Sequence, residues 1–199
     1  MPNTSRRLLA SSHQASEACR NGSYIPPASS APSPLRLWRP RSSLATSLAP
    51  AYPFALALAE ALDVSLSPHE ERLFPHGGCE LWPLVDPRGA DACVVHSLHG
   101  GPIDSPHDKL CRLLMIIATL KDHGAARVTA VVPYLASARK DQRTKPHDPV
   151  NLRYVAQLLD AVGVAQLIVL EAHNVAAFQN AFRCATVDLS AHPLFGELA

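Results

Sequence analysis

The chain has 199 residues, 47% of them hydrophobic, and a formal net charge of +1, which suits one domain with a proper core and excludes a globally basic nucleic-acid binder. The charge is uneven: residues 1–50 hold six Arg, no Lys and one acid, Glu17, so +5 there leaves −4 for the remainder. Five cysteines (Cys19, Cys79, Cys93, Cys111, Cys184) include no C-x-x-C pair, which argues against zinc; Cys93 and Cys111 lie in apolar segments and read as core residues in a reducing compartment.

Residues 1–42 are rich in Ser, Pro and Arg and lack apolar periodicity, the composition of a disordered extension. An Arg- and Ser-rich, acid-poor start also fits a transit peptide, but frequent Pro and no amphipathic helix weigh against it; a start codon placed too early is a further reading. Ser42 to Ala59 is uncharged and long enough to span a bilayer, yet Pro50 and Pro53 break it. We read it as a strand at Leu44–Leu48 and a helix over Phe54–Leu62, with no membrane span. Leu81–Val85 is short and extended, and Ala92–Val95 is an unbroken apolar run, as in a parallel strand covered on both faces.

Asp108 or Ser105 caps a helix over Lys109–Asp122, with Leu110, Leu113, Leu114, Ile117 and Leu120 on one stripe. Cys111, Met115 and Ile116 widen that surface, so a second layer or a partner is expected over it; Gly124 ends the helix. Val128–Val132 is the next strand. Asp148 is expected to cap a helix with Pro149 at its first position, buried through Val155, Leu158, Leu159 and Val162 and closed by Gly163. A strand at Leu167–Leu170, a helix at Val175–Phe182 and an extended piece at Thr186–Leu189 follow. Repeated strand–helix units predict an α/β domain over residues 43–199, a parallel sheet flanked by helices.

The segment from Val131 to Pro149 carries most of the functional signal. A strand runs into a long loop bearing Arg139, Lys140, Arg143 and Lys145 against Asp141 and Asp148. Loops this long in a compact domain are usually functional or disordered, and open α/β sheets bind ligands at the carboxyl ends of their strands. The charge favours an anion, a polyphosphate above all; by composition alone it fits a solvated basic turn equally well.

The order of residues adds to this. Pro133-Tyr134, Ala138-Arg139-Lys140-Asp141, Arg143, Lys145-Pro146 and Asp148-Pro149 together resemble the ATP-binding segment of ribose-phosphate pyrophosphokinases, the enzymes that make phosphoribosyl pyrophosphate. Val169-Leu170-Glu171-Ala172-His173, Phe178-Gln179-Asn180-Ala181-Phe182 and Pro193-Leu194-Phe195 follow in the family's order, and Glu70 to Gly77 resembles its adenine-reading loop. From about Ser43 on, the chain resembles the amino-terminal half of such an enzyme.

The resemblance implies a phosphoribosyltransferase-like fold and transfer of diphosphate from Mg-ATP to ribose 5-phosphate for nucleotide biosynthesis. It implies nucleotide contacts from Arg139, Lys140, Asp141 and Arg143, and from Phe74 and His76 across a subunit interface. His173 would be the magnesium-associated histidine, Mg²⁺ the metal, a homo-oligomer the assembly and the cytoplasm the compartment. Read without the resemblance, His173 is a capping or core histidine and Phe74 a loop anchor.

Departures from the family pattern have consequences. Gln142 replaces an Arg, Glu171 an Asp, and His76 and Gly78 stand where the family has Asp/Asn and Glu, which puts adenine selectivity in question. No Gly-Thr pair occurs, so the family's ribose 5-phosphate loop is not recognised, and the chain alone is expected to be inactive. Two other readings remain, a non-catalytic synthase-associated subunit and a free-standing nucleotide- or phosphate-binding module. The first requires exposed apolar groups around Met115–Leu120 or Phe178–Phe182.

Overall fold

The computed structural model describes residues 43–48 and 51–192; the expected extension over 1–42 and the Pro193-Leu194-Phe195 segment lie outside them. In chain order the elements are β1 (Ser43–Ser47), α1 (Tyr52–Leu62), β2 (His69–Leu73), β3 (Cys79–Pro83), β4 (Asp91–Val95), α2 (Pro106–Asp122), β5 (Arg127–Val132), α3 (Asn151–Ala161), β6 (Gln166–Leu170), α4 (Val175–Ala181) and β7 (Ala185–Leu189). Strands β1-β4-β5-β6-β7 form one sheet in that spatial order, each pair parallel. The parallel α/β architecture predicted from the repeating units is the one formed.

Register decides which side chains share a face. Leu44 pairs with Ala92, Ala92 with Val128, Ala130 with Leu167 and Val132 with Val169, and these side chains enter one core with Leu113, Ile116, Ile117 and Leu120 of α2 and Leu152, Val155, Ala156 and Leu159 of α3. Each fully buried Leu or Ile there contributes about 1.5–3 kcal/mol relative to exposure. The opposite face buries Ala45, Cys93, Val95 and Val131, and the buried Ala55 and Ala59 of α1 match its small side chains.

Handedness explains why α1 lies apart. The connections from β4, β5 and β6 all step the same way across the sheet, so right-handed crossovers put their helices on one face. β1 leads the other way: Leu66 bridges Ala45 in parallel on β1's outer edge, and the Ser67 N–H donates to the Ala45 carbonyl at 2.6 Å. The reversed step places α1 on the other face.

The sequence did not reveal the antiparallel hairpin β2–β3. It is the second layer anticipated over α2: Thr119 Oγ1 donates to the Leu81 carbonyl at 3.4 Å, and Arg112 Nε sits 3.1 Å from Glu71 Oε1. The cover is partial, since Met115 stays 55% exposed and Cys111 is exposed, not a core residue. Ser105 caps α2 in a reciprocal box with Asp108. Asp148 does not cap α3: the helix starts at Asn151 with Val150 at its N-cap, because the Asp148 carboxylate is taken up inside its own loop. The buried α3 stripe is Leu152, Val155, Ala156 and Leu159, and Leu158 is 47% exposed.

His96 follows β4 directly. It is 0% exposed, and neither ring nitrogen has a hydrogen-bond partner among the described residues. Burial, and then the charge of Lys109, push its pKa down from 6.5 to about 4, with the Leu48 carbonyl opposing. The unfolded chain therefore takes up a proton in that window that the folded chain refuses. The His96 contribution to stability is full above pH 6.5, falls on acidification and levels off below about 4. Urea unfolding should lose on the order of 3 kcal/mol across the window, and His96→Leu should flatten that part of the profile; an equally steep profile in the variant would refute the assignment.

Candidate functional site

β5 and β6 are neighbours, with Val131 opposite Ile168 and Val132 opposite Val169. The loops leaving their carboxyl ends, residues 133–150 and 171–174, therefore start side by side. The first is anchored by buried Leu135 and Ala136, by the Leu98 N–H donating to the Tyr134 carbonyl at 3.0 Å, and by the Leu152 N–H donating to the Lys140 carbonyl at 3.2 Å. Asn174 joins the two loops, with Nδ2 donating to Asp141 Oδ2 at 2.9 Å. Its own side-chain oxygen caps α4 by accepting from the Ala177 N–H.

Asp148 organises the tip of the long loop. Its Oδ2 accepts from Lys140 Nζ at 2.8 Å, from the Thr144 hydroxyl at 2.7 Å, and from the Thr144 and Lys145 N–H groups at 3.1 Å each. The Lys140 hydrogen bond, and then those from Thr144, hold its carboxyl well below the usual range. Arg143 Nε donates to the Asp148 carbonyl at 3.2 Å. Lys140 and Arg143 are thus spent on the loop's own shape. Arg139 has no ion pair among the described residues.

A cavity of about 390 Å³ opens where the two loops meet, and Arg139, Tyr134, Glu171, His173, Asn174 and Phe178 are among the residues lining it. The structure thus brings the Arg139 and His173 picked out by sequence to one cavity. Asp141 is tied to its rim through Asn174, whereas Lys140 and Arg143 are not in the lining. The Glu171 carboxylate accepts from the Ala191 N–H and the Ser190 hydroxyl, which lower its pKa in that order, so it braces the end of β7.

Backbone strain collects here. Of four non-glycine residues at positive φ among the described residues, Ser137 (63°), His147 (67°) and Glu171 (50°) lie in these two loops, and such positions concentrate where surrounding structure holds a site in shape.

No group of three or more His, Cys, Asp or Glu among the described residues could hold a metal. A lone imidazole fits Mg²⁺ poorly as a direct ligand, since that ion prefers oxygen and keeps several waters. His173 therefore suits a contact to bound water or phosphate.

Phe74 and His76 are elsewhere, at the turn of the β2–β3 hairpin, and they do not line this cavity. Their rings stack with centroids 5.6 Å apart and planes at 16°. A Cβ on Gly78 would lie 3.4 Å from His76 Nε2, so the stack occupies the space beside Gly78. Sequence reasoning missed the Asp148 hub, the Asp141–Asn174 link and the buried pair His96 and Lys109. A signal for the last existed: Lys109 falls in helical register with Leu113, Ile116 and Leu120.

Asp148→Asn should loosen the loop without unfolding the domain. Trypsin is expected to cut near Arg139–Lys145 several-fold faster, while Tm moves by no more than a few degrees. Unchanged cleavage would show that the carboxylate does not hold the loop.

Residues 46–163 match the family model described as the N-terminal domain of ribose phosphate pyrophosphokinase. Ribose-phosphate pyrophosphokinase of Methanothermobacter thermautotrophicus is 35% identical over 143 residues, 72% of this chain and 48% of that one. The enzyme of the same name from Saccharolobus solfataricus is 33% identical over 119 residues, 59% of this chain and 39% of that one. The crystal structure of phosphoribosylpyrophosphate synthetase from Mycobacterium smegmatis superposes with a TM-score of 0.74 at 26% identity, covering 79% of this chain and 51% of the other. The chain thus spans about half the length of such relatives, or less.

Proposed function

Because the chain belongs to the ribose-phosphate pyrophosphokinase family, we propose that residues 43–199 form the ATP-side half of a ribose-phosphate diphosphokinase site. The observation that carries this reading is the meeting of Arg139 and His173 at one cavity on the carboxyl edge of the sheet. Arg139, unpaired among the described residues, forks onto the triphosphate oxygens. His173 would hold water or phosphate beside the nucleotide's Mg²⁺, an ion that would neutralise phosphate charge when bound. Lys140 and Arg143, held by Asp148, keep a positive rim around the entrance, and Asp141 fixes that rim through Asn174.

In the reaction the anomeric oxygen of ribose 5-phosphate forms a bond to the β-phosphorus, the bond from that phosphorus to the α,β-bridging oxygen breaks, AMP departs with that oxygen, and the hydroxyl proton passes to solvent. Such loose, charged transition states are helped chiefly by positioning and electrostatics. On this reading the ribose 5-phosphate residues lie outside the half that the chain shares with its relatives, so the polypeptide alone transfers no diphosphate. Phe74 and His76 stack on the base from a neighbouring copy in a homo-oligomer. No described helix is long and apolar enough to cross a membrane. The cytoplasmic placement rests on the family reading alone.

The partner-subunit reading gains little, because Ile116, Ile117, Leu120, Phe178 and Phe182 are all buried and Met115 is the one strongly exposed apolar side chain in those patches. Calorimetric titration with Mg-ATP should show binding that Arg139→Ala and His173→Ala each weaken by about tenfold or more. Equal affinity in all three proteins would sink the site assignment. AMP release from Mg-ATP with ribose 5-phosphate should stay at the blank rate for the chain alone, and turnover would overturn the proposed division of labour.

A further inference from the structure

The sheet has a second place suited to a ligand. β1 leads through α1 on one face while β4 leads through α2 on the other, so the connections part between these neighbouring strands. In open α/β sheets, ligands settle in the crevice outside the carboxyl ends at such a point. Those ends are Ser47 and Val95, paired in register. Of the five buried polar side chains among the described residues, Thr46 and Ser47 end β1, His96 follows β4, and Lys109 lies in the first turn of α2 with its Nζ on the His99 carbonyl.

Two of the four are provided for locally. Thr46 Oγ1 shares a hydrogen bond with His69 Nδ1 at 3.0 Å, and the Ser47 hydroxyl points 3.5 Å from the Leu48 carbonyl. His96 and Lys109 are different. Lys109 is 2% exposed, yet its one acceptor among the described residues is the His99 carbonyl at 2.6 Å, and it has no carboxylate partner there. Lysine is almost never this buried unless paired, and an ammonium offers three donors. Neither ring nitrogen of His96 makes a hydrogen bond of normal geometry among the described residues, the Leu48 backbone being only a weak neighbour.

The cover over this pair is thin. His99, Gly100 and Gly101 are exposed, and a Cβ on Gly101 would lie 3.9 Å from Lys109 Nζ. The nearby Arg112 does not compete for a ligand: it is held by both Asp104 oxygens, at 3.0 and 2.9 Å, and by Glu71. That clamp also pins the far end of the 99–104 loop.

We propose that Lys109 and His96 form an oxyanion site in the β1–β4 crevice, entered through the Gly100–Gly101 turn and taking a phosphate group. The site stands apart from the Arg139 cavity and does not rest on the function proposed for it. The group belongs either to free inorganic phosphate or to a sugar phosphate.

The test is an NMR titration of the ¹⁵N-labelled chain with inorganic phosphate and, separately, ribose 5-phosphate. Saturable shifts of the Gly100 and Gly101 amides are expected with at least one of them, and the tighter titrant identifies the source. The shifts should persist in Arg139→Ala and weaken by about tenfold or more in Lys109→Met. Gly101→Ala should weaken them comparably; its methyl meets only ordinary contacts, so this variant reports even if Lys109→Met does not fold. No saturable response to either anion at tens of millimolar, loss of the response in Arg139→Ala, or undiminished binding in Gly101→Ala would each overturn the proposal.

Discussion

Val132 stands opposite Val169 in a parallel ladder, and the candidate site follows from that pairing. Adjacent parallel strands end on the same edge, so whatever follows them must share space there. Strict side-chain alternation then makes the register hard to slip: one residue of shift would turn Val169 and Leu167 away from the helices that bury them. The core on one side and the loops at the end are thus two consequences of one alignment.

The loops are selective about charge. Four cations crowd into Arg139–Lys145, and the single Asp148 carboxylate together with its carbonyl engages Lys140, Arg143 and the backbone of Lys145. What reaches the cavity is one guanidinium. Left-handed Ser137 and His147 bend the chain around that hub, and Asn174 ties the result to the next loop. Such an arrangement is built before any ligand arrives, which lowers the ordering cost of binding.

Much of this was legible in the residues. An unbroken apolar run at Ala92–Val95 and the strand–helix alternation around it gave the sheet, and a helical stripe with Ser105 and Asp108 gave α2. Arg139 and His173 were found through a motif, and their convergence follows from β5 and β6 being neighbours. The hairpin escaped because His69–Leu73 reads HEERL, polar and without alternation; its partner is the α2 surface, which local patterning does not report. Asp148 before Pro149 has the pattern of a helix cap, but four donors in its own loop compete for the same carboxylate, and tertiary context won. Cys111 sits in an apolar segment yet faces outward, because the hairpin covers only part of the helix.

The most direct test is a crystal structure of the chain with Mg²⁺ and a non-hydrolysable ATP analogue. The account predicts triphosphate oxygens within hydrogen-bond distance of the Arg139 guanidinium, with the His173 ring facing the phosphates or the waters of the metal. A nucleotide bound away from both side chains would contradict it.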